Sequence, residues 1–336
     1  MPDLTARAPV RLLACEGAGT FAERVADALS LPLVPSHEDW FACGEGKFVI
    51  DENVRGGDCY VFQSPIVPGA ERSTYDRFVM LLHAVEAAAL ADAQEVTAVL
   101  PYYPGARQDK RKGRVREGIS AGLFARCLQE AGATRVVTIE VHNEAIAGMF
   151  APSRCRLENL YLHYLLCPWL QERGLVGKTV VAPDVGGMER ARRYARVLEA
   201  SLAALSKERD YATVNRVVRS TLIGEVAGHD VLLVDDIIDT AGSVVAAVTE
   251  LKEGGAKDVT VACAHALLSG PAFDRLGAVA DRAEHEGWRF TVVGTSSVHH
   301  EDPPSWYQEF PVEQLLARVI ERNNHRLSVT RAQERR

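Results

Sequence analysis

No CxxC pair occurs in the 336-residue chain, and its seven cysteines, from Cys15 to Cys263, are scattered and odd in number. That pattern excludes a zinc knot or a disulfide framework and fits a reducing compartment, so a cytoplasmic protein is expected. No apolar run approaches the ~18 residues that would suggest a membrane span. The opening MPDLTARAPV has no apolar core of the signal-peptide kind. Basic charge is not in excess: 38 Lys and Arg stand against 45 Asp and Glu, a formal charge of −7. Nonspecific nucleic-acid binding needs a basic face, so no nucleic-acid partner is expected. No GxxxxGK[ST] occurs, which removes the P-loop NTPases. Low-complexity sequence is absent apart from a polar tail after Asn323, expected to fray beyond a final helix over 312–322.

What is present is ordinary for a globular protein, with 47% apolar and 25% charged residues. At roughly 150 residues per domain, the length predicts two domains. Short apolar runs read as strands over 10–15, 59–63, 96–100 and 136–141, then 179–182, 203–206, 231–234, 259–262 and 290–293. Helical patterns lie between them, over 75–91, 120–131, 188–202 and 243–254. Such alternation predicts an α/β fold, with mostly parallel sheets flanked by helices. It runs through twice with a break near 152–160. The expected domains are 8–155 and 156–310, with a C-terminal helix within 311–330 packing on the first. The charged stretch 281–288 reads as an insertion before the last strand.

The sharpest local signal is Val231-Leu-Leu-Val-Asp235-Asp236-Ile-Ile-Asp239-Thr240-Ala241-Gly242-Ser243. An apolar strand ends in two acids, and a turn then opens a helix. Ligands of open α/β sheets bind at such carboxyl ends. Helix-start N–H groups favour a phosphate, and Gly242 lets it come close. Carboxylates would repel a phosphate lying directly on them. Asp235 and Asp236 instead suit the hydroxyls of a ribose whose 5-phosphate sits in the turn. A buried strand end with a capping Asp is the plainer reading, but three acids plus Thr-Ala-Gly-Ser exceed what capping needs.

This segment resembles the phosphoribosyl-diphosphate loop of type I phosphoribosyltransferases. Further segments resemble ribose-phosphate pyrophosphokinases, in family order from about Leu12 to Thr330. They are Phe41-Ala-Cys-Gly44-Glu45 with Asn53-Val-Arg-Gly56, Pro101-Tyr-Tyr-Pro-Gly-Ala-Arg107-Gln108-Asp109-Lys110, and Glu140-Val-His142. Ala182-Pro183-Asp184-Val-Gly186-Gly187-Met-Glu-Arg190-Ala191, Lys207-Glu-Arg209, Ala264-His-Ala-Leu-Leu-Ser-Gly270 and Leu327-Ser-Val-Thr330 follow. The resemblance implies two phosphoribosyltransferase-like domains and Mg²⁺-dependent transfer of the β,γ-pyrophosphoryl group of ATP to the C1 hydroxyl of ribose 5-phosphate. It implies Lys207 and Arg209 as catalytic residues on a closing loop. Phe41, Glu45, Arg107, Gln108, Asp109 and His142 would meet ATP. Asp235, Asp236, Asp239, Thr240, Ala241, Gly242 and Ser243 would hold ribose 5-phosphate, and Asp184, Gly186 and Gly187 the pyrophosphate. His142 and Asp184 would contact Mg²⁺, and a homo-oligomer, dimer or hexamer, is expected. The basic cluster Arg107, Lys110, Arg111, Lys112, Arg114 and Arg116 reads as an ATP funnel.

Several positions depart from the family pattern: Cys43, Gly105, Gly118, Glu140, Ser243, and Ala145 and Ala147 where two glutamines usually stand. The resemblance implies that the second of those glutamines, at Ala147, belongs to the regulatory phosphate/ADP site, so phosphate activation is not expected to follow the family. Rival readings stay open at this point. A base phosphoribosyltransferase would share 235–243 but not explain 107–109. An inactive regulatory homologue would bind substrates without turnover. Gly17-Ala-Gly19-Thr-Phe-Ala22, with Glu38 further on, fits a dinucleotide turn, though so short a pattern is common.

Overall fold

The computed structural model describes residues 6–111, 113, 115–210 and 216–334, with side chains for all of these except 207–210 and 216–220. The chain divides into two compact units. One takes the residues up to Tyr161 together with Pro311–Glu334, and the other is Leu162–Phe310.

The first unit holds β1 (Val10–Ala14), a hairpin of β2 (Ser36–Trp40) and β3 (Gly46–Ile50), then β4 (Asp58–Phe62), β5 (Glu95–Val99), β6 (Arg135–Ile139) and β7 (Arg156–Leu160). Its main sheet has the order β1-β4-β5-β6-β7, parallel throughout. Helices α1 (Gly19–Leu29), α2 (Thr74–Leu90) and α3 (Ser120–Glu130) cover it. All five residues of β4 are buried, as expected where helices lie on both faces. A reciprocal cap starts α2: the Asp76 amide donates to Ser73 Oγ (3.2 Å) and the Ser73 amide to Asp76 Oδ2 (2.8 Å). Phe78, Leu81, Ala84, Val85 and Ala88 then repeat at helical spacing on its buried face.

The second unit holds α4 (His163–Glu172), β8 (Thr179–Ala182), α5 (Met188–Leu198), β9 (Ser201–Asp210), β10 (Arg216–Ile223), β11 (Val231–Ile238), α6 (Gly242–Glu253), β12 (Val259–Ala266), α7 (Ala272–Glu286), β13 (Phe290–Thr295) and β14 (Tyr307–Phe310). Its sheet order is β10-β9-β8-β11-β12-β13-β14, with β10 antiparallel at one edge. The last helix, α8 (Glu313–Asn324), belongs to the first unit.

Four expectations need correction. The helix expected over 188–202 stops at Leu198, where Glu199 takes a φ of 52° and redirects the chain into β9. The strand expected over 231–234 runs on to Ile238. The stretch 281–288 does not lead directly into the last strand, since β14 follows β13; it is mostly the end of α7, whose Leu276, Val279 and Ala283 are buried at spacings of three and four. The tail after Asn323 is folded against its own unit. The Asn324 amide group donates to the Ala8 carbonyl (2.8 Å) and to Asp58 Oδ2 (2.9 Å). Asn323 donates to the Tyr60 hydroxyl (2.8 Å), and Gln333 Oε1 accepts from the Tyr161 amide (2.7 Å). Buried amides stay only where such partners exist.

Candidate active site

Parallel strands put their carboxyl ends on one edge, and in the second unit β8, β11 and β12 deliver their loops there. Asp235 and Asp236 lie inside β11, two to three residues before its end, with Asp235 paired in register with Cys263 of β12. Asp236 is buried and Asp235 partly so. The Asp236 amide donates to Asp235 Oδ1 (2.9 Å). The loop beyond is pinned from β12: the Leu268 amide donates to the Ile238 carbonyl (3.1 Å) and the Ser269 amide to the Asp239 carbonyl (2.9 Å). Arg275 Nη1 reaches the Thr240 carbonyl (2.8 Å). Ala241 then adopts a left-handed φ of 60° and α6 begins at Gly242. Its N-cap, Ala241, has no side chain that could cap the helix, and Gly242 and Ser243 are exposed. Uncapped helix-start amides and exposed hydroxyls make an anion cradle.

Burial, and next the neighbouring Asp236 carboxylate, push Asp235 well above the usual carboxylate range. Arg190 opposes this, its Nη1 standing 3.4 Å from Asp236 Oδ1 and 3.8 Å from Asp235 Oδ1. Burial chiefly, with these two acids beside it, also pushes the Cys263 thiol up, so it stays protonated. Arg190 lies within the segment that resembles the pyrophosphate loop, but the sequence assigned it no role of its own. Its signal was present, three residues past Gly187 on a helix starting at the turn after β8.

In that turn Asp184 Oδ1 accepts from the Gly187 amide (2.9 Å). Neither glycine has positive φ. A Cβ on Gly186 would stand 3.2 Å from Asp184 Oδ1, and one on Gly187 3.3 Å from Pro183 Cδ. Crowding and access to the backbone, not a left-handed turn, are what small residues satisfy there. Asp184 and Gly186 are exposed.

The backbone of Lys207 and Arg209 runs in β9, paired with Ser220 and Val217 of β10. They sit on one arm of an antiparallel hairpin, not in a loop, because 216–223 offers a strand partner. Their side chains lie outside the described residues, as do Lys112 and Arg114 of the basic cluster.

In the first unit the loops after β5 and β6 meet. Gly105 has a φ of 71° and its carbonyl accepts from the Gln108 amide (2.9 Å), a turn that gives the departure at Gly105 a backbone reason. Arg107 and Gln108 are exposed. Ser120 Oγ donates to Gln108 Oε1 (2.5 Å), and Asn143 Nδ2 donates to Asp109 Oδ2. That last bond ties the 107–109 segment to His142, the residue before Asn143. β6 ends at Ile139, and buried Glu140 takes a φ of 43°, so His142 follows a turn and does not end the strand. Phe41 and Glu45 are brought elsewhere, to the β2–β3 hairpin tip, where the Phe41 amide donates to the Glu45 carbonyl (2.8 Å) and the Phe41 ring is 52% exposed.

The dinucleotide reading of 17–22 fails on geometry. The Glu16 amide donates to Glu38 Oε1 (2.9 Å), so a carboxylate of the chain already fills that turn. A Cβ on Gly17 would lie 2.6 Å from Gln63 Oε1, leaving no approach for a ligand.

Among the described residues no group of three His, Cys, Asp or Glu could hold a metal. Mg²⁺ needs none, because it keeps waters and substrate phosphates and takes one or two carboxylates. Exposed Asp184 fits as such a ligand. No helix among the described residues is long and apolar enough to cross a membrane.

A seven-stranded sheet with an acid pair and an uncapped helix at its carboxyl edge defines a phosphoribosyltransferase-type unit. Residues 174–300 match the model of the phosphoribosyl transferase domain, and residues 10–132 match that of the N-terminal domain of ribose phosphate pyrophosphokinase. The chain is 36% identical over 309 residues to a ribose-phosphate pyrophosphokinase of Campylobacter jejuni, covering 92% of this chain and 94% of that one. It is 40% identical over 257 residues to ribose-phosphate pyrophosphokinase 2 of Enterococcus faecalis, covering 76% of each. The crystal structure of phosphoribosylpyrophosphate synthetase from Mycobacterium smegmatis superposes with a TM-score of 0.81 at 31% identity, over 94% of this chain and 98% of that one. The chain belongs to the ribose-phosphate pyrophosphokinase family and has its two-domain phosphoribosyltransferase-type fold.

Proposed function

We propose that the protein transfers the β,γ-pyrophosphoryl group of ATP to the C1 hydroxyl of ribose 5-phosphate, giving phosphoribosyl pyrophosphate and AMP. The observation that carries this reading is the edge of β11: two carboxylates set before an uncapped helix start. Asp235 and Asp236 accept from the ribose hydroxyls. The amides and hydroxyls of 239–243 take the 5-phosphate, and the turn at Asp184, Gly186 and Gly187 takes the pyrophosphoryl group. Arg107 and Gln108 meet ATP, with Asp109 fixing that segment to the His142 segment. Exposed Phe41, with Glu45, is a contact for the base, reaching a neighbouring subunit's site in a homo-oligomer.

The C1 oxygen attacks the β-phosphorus and AMP leaves with the bridging oxygen. Charge builds on the equatorial oxygens and on the departing AMP, so catalysis is positioning plus cations. Lys207 and Arg209 supply those cations, a compact ammonium and a bidentate fork. His142 would contact a Mg²⁺ carrying ATP phosphates and Asp184 a second Mg²⁺ with the pyrophosphoryl group, and these ions would neutralise phosphate charge. Its scattered, odd-numbered cysteines fit a reducing compartment, so the reaction is placed in the cytoplasm.

AMP formation from ATP and ribose 5-phosphate with Mg²⁺ tests this, with and without inorganic phosphate. Turnover that depends on ribose 5-phosphate and ignores phosphate is expected, given exposed Ala145 and Ala147 in place of two glutamines. Binding of both substrates without turnover would favour the regulatory homologue. Pyrophosphate-releasing turnover with a free base and phosphoribosyl pyrophosphate would favour a base transferase.

A further inference from the structure

Helix α5 starts at the Asp184–Gly187 turn, and its third residue is Arg190. β8, which feeds that turn, is the in-register neighbour of β11. Arg190 therefore lies beside the acid pair of the next strand: Nη1 is 3.4 Å from Asp236 and 3.8 Å from Asp235, with the Arg190 side chain 15% exposed. A ribose diol needs two acceptors. Two carboxylates this close and this poorly hydrated repel each other, and the cheapest relief is to take up a proton, which turns one acceptor into a donor. A guanidinium beside both opposes that proton uptake.

We propose that Arg190 is a positioning residue for the sugar: its guanidinium, beside both carboxylates, holds Asp235 and Asp236 for the ring hydroxyls of ribose 5-phosphate and works against proton uptake between them. This rests on the ribose 5-phosphate reading above. One short helix then couples two subsites, with its first turn facing the pyrophosphoryl group and its third residue setting the acceptors for the sugar. The alternative is a direct contact of Arg190 with the nucleotide's phosphates, which would act on ATP and on the chemical step.

Steady-state kinetics of Arg190→Gln and Arg190→Lys separate the two. The glutamine variant is expected to raise KM for ribose 5-phosphate by about 10- to 100-fold, the scale of losing a charge-assisted contact. KM for ATP and kcat are expected to move less than about 3-fold, and lysine to recover most of the loss. A fall in kcat or a rise in KM for ATP, with KM for ribose 5-phosphate unchanged, would overturn the proposal. If Arg190→Gln fails to fold, the same substitution is made with Asp235→Asn, which removes the repulsion. Against Asp235→Asn alone it is then expected to cost under about 3-fold, and a full 10-fold cost would contradict the proposal. Wild-type protein is measured first. No AMP from ATP and ribose 5-phosphate sinks the enzymatic reading itself, whereas wild-type turnover with an unaltered KM in Arg190→Gln sinks only the role of Arg190.

Discussion

The turn after β1 and the turn after β8 begin alike and end differently. Each leaves a parallel strand, carries two glycines and enters an 11-residue helix, with a hairpin following in the chain. In the first unit the chain fills its own turn. Glu38 of the hairpin takes the Glu16 amide and also accepts from Trp40 Nε1 (3.0 Å), while Gly17 closes on Gln63 and Arg77. In the second unit Asp184 and Gly186 stay exposed. The next strands differ the same way. Past β4 come buried Gln63 and Ser64, and the helix that follows is capped by Ser73. Past β11 come exposed Gly242 and Ser243 on an uncapped helix. Asp184 does take the Gly187 amide, so what sets the ligand edge apart is a turn and a helix start that stay exposed.

Four substitutions and one change of condition press on that contrast. Lys207→Ala is expected to cut turnover at least ~100-fold, as loss of a transition-state charge contact does, with folding intact. Asp236→Ala comes next, with ribose 5-phosphate affinity down about 10- to 100-fold by titration calorimetry. The two glycines should then part company. Gly17→Ala is expected to cost about 2 kcal/mol by overpacking, measured by denaturant unfolding, with kcat per folded molecule unchanged. Gly186→Ala, with its nearest contact at 3.2 Å, is expected to cost less stability but more activity. A stable Gly17→Ala variant with lost turnover would break the contrast.

Acid gives the most local effect. His163, in the second unit, is held down from 6.5 to about 4, first by burial and then by Arg193 and Arg196. A depressed group contributes stability that is present above its unfolded value and lost as pH falls through the folded one. Stability is therefore expected to drop between about pH 6.5 and 4, by up to about 3 kcal/mol from this residue. Unfolding of His163→Gln across that window should be flatter.

The contiguous parts were legible in sequence. Strands over 10–15, 59–63 and 179–182 lie within a residue or two of β1, β4 and β8, because buried parallel strands read as short apolar runs. The 235–243 loop was legible because its acids, hydroxyls and glycine are consecutive. The hairpin β2–β3 was missed: SHEDW is polar, and its pairing with GKFVI rests on cross-strand partners such as Asp39 and Lys47, 3.0 Å apart. The role of Arg190 was missed because its place depends on helical phase and on which strand lies next door. The tail misled because Asn323 and Asn324 are polar yet buried, satisfied by Tyr60, Asp58 and the Ala8 carbonyl.

The most direct test is the stoichiometry of ribose 5-phosphate binding, by titration calorimetry of the whole chain beside Asp236→Ala. One molecule per chain, lost in the variant, is the predicted result. Two per chain, or one that survives Asp236→Ala, would place a working sugar site outside the β11 edge and contradict the account.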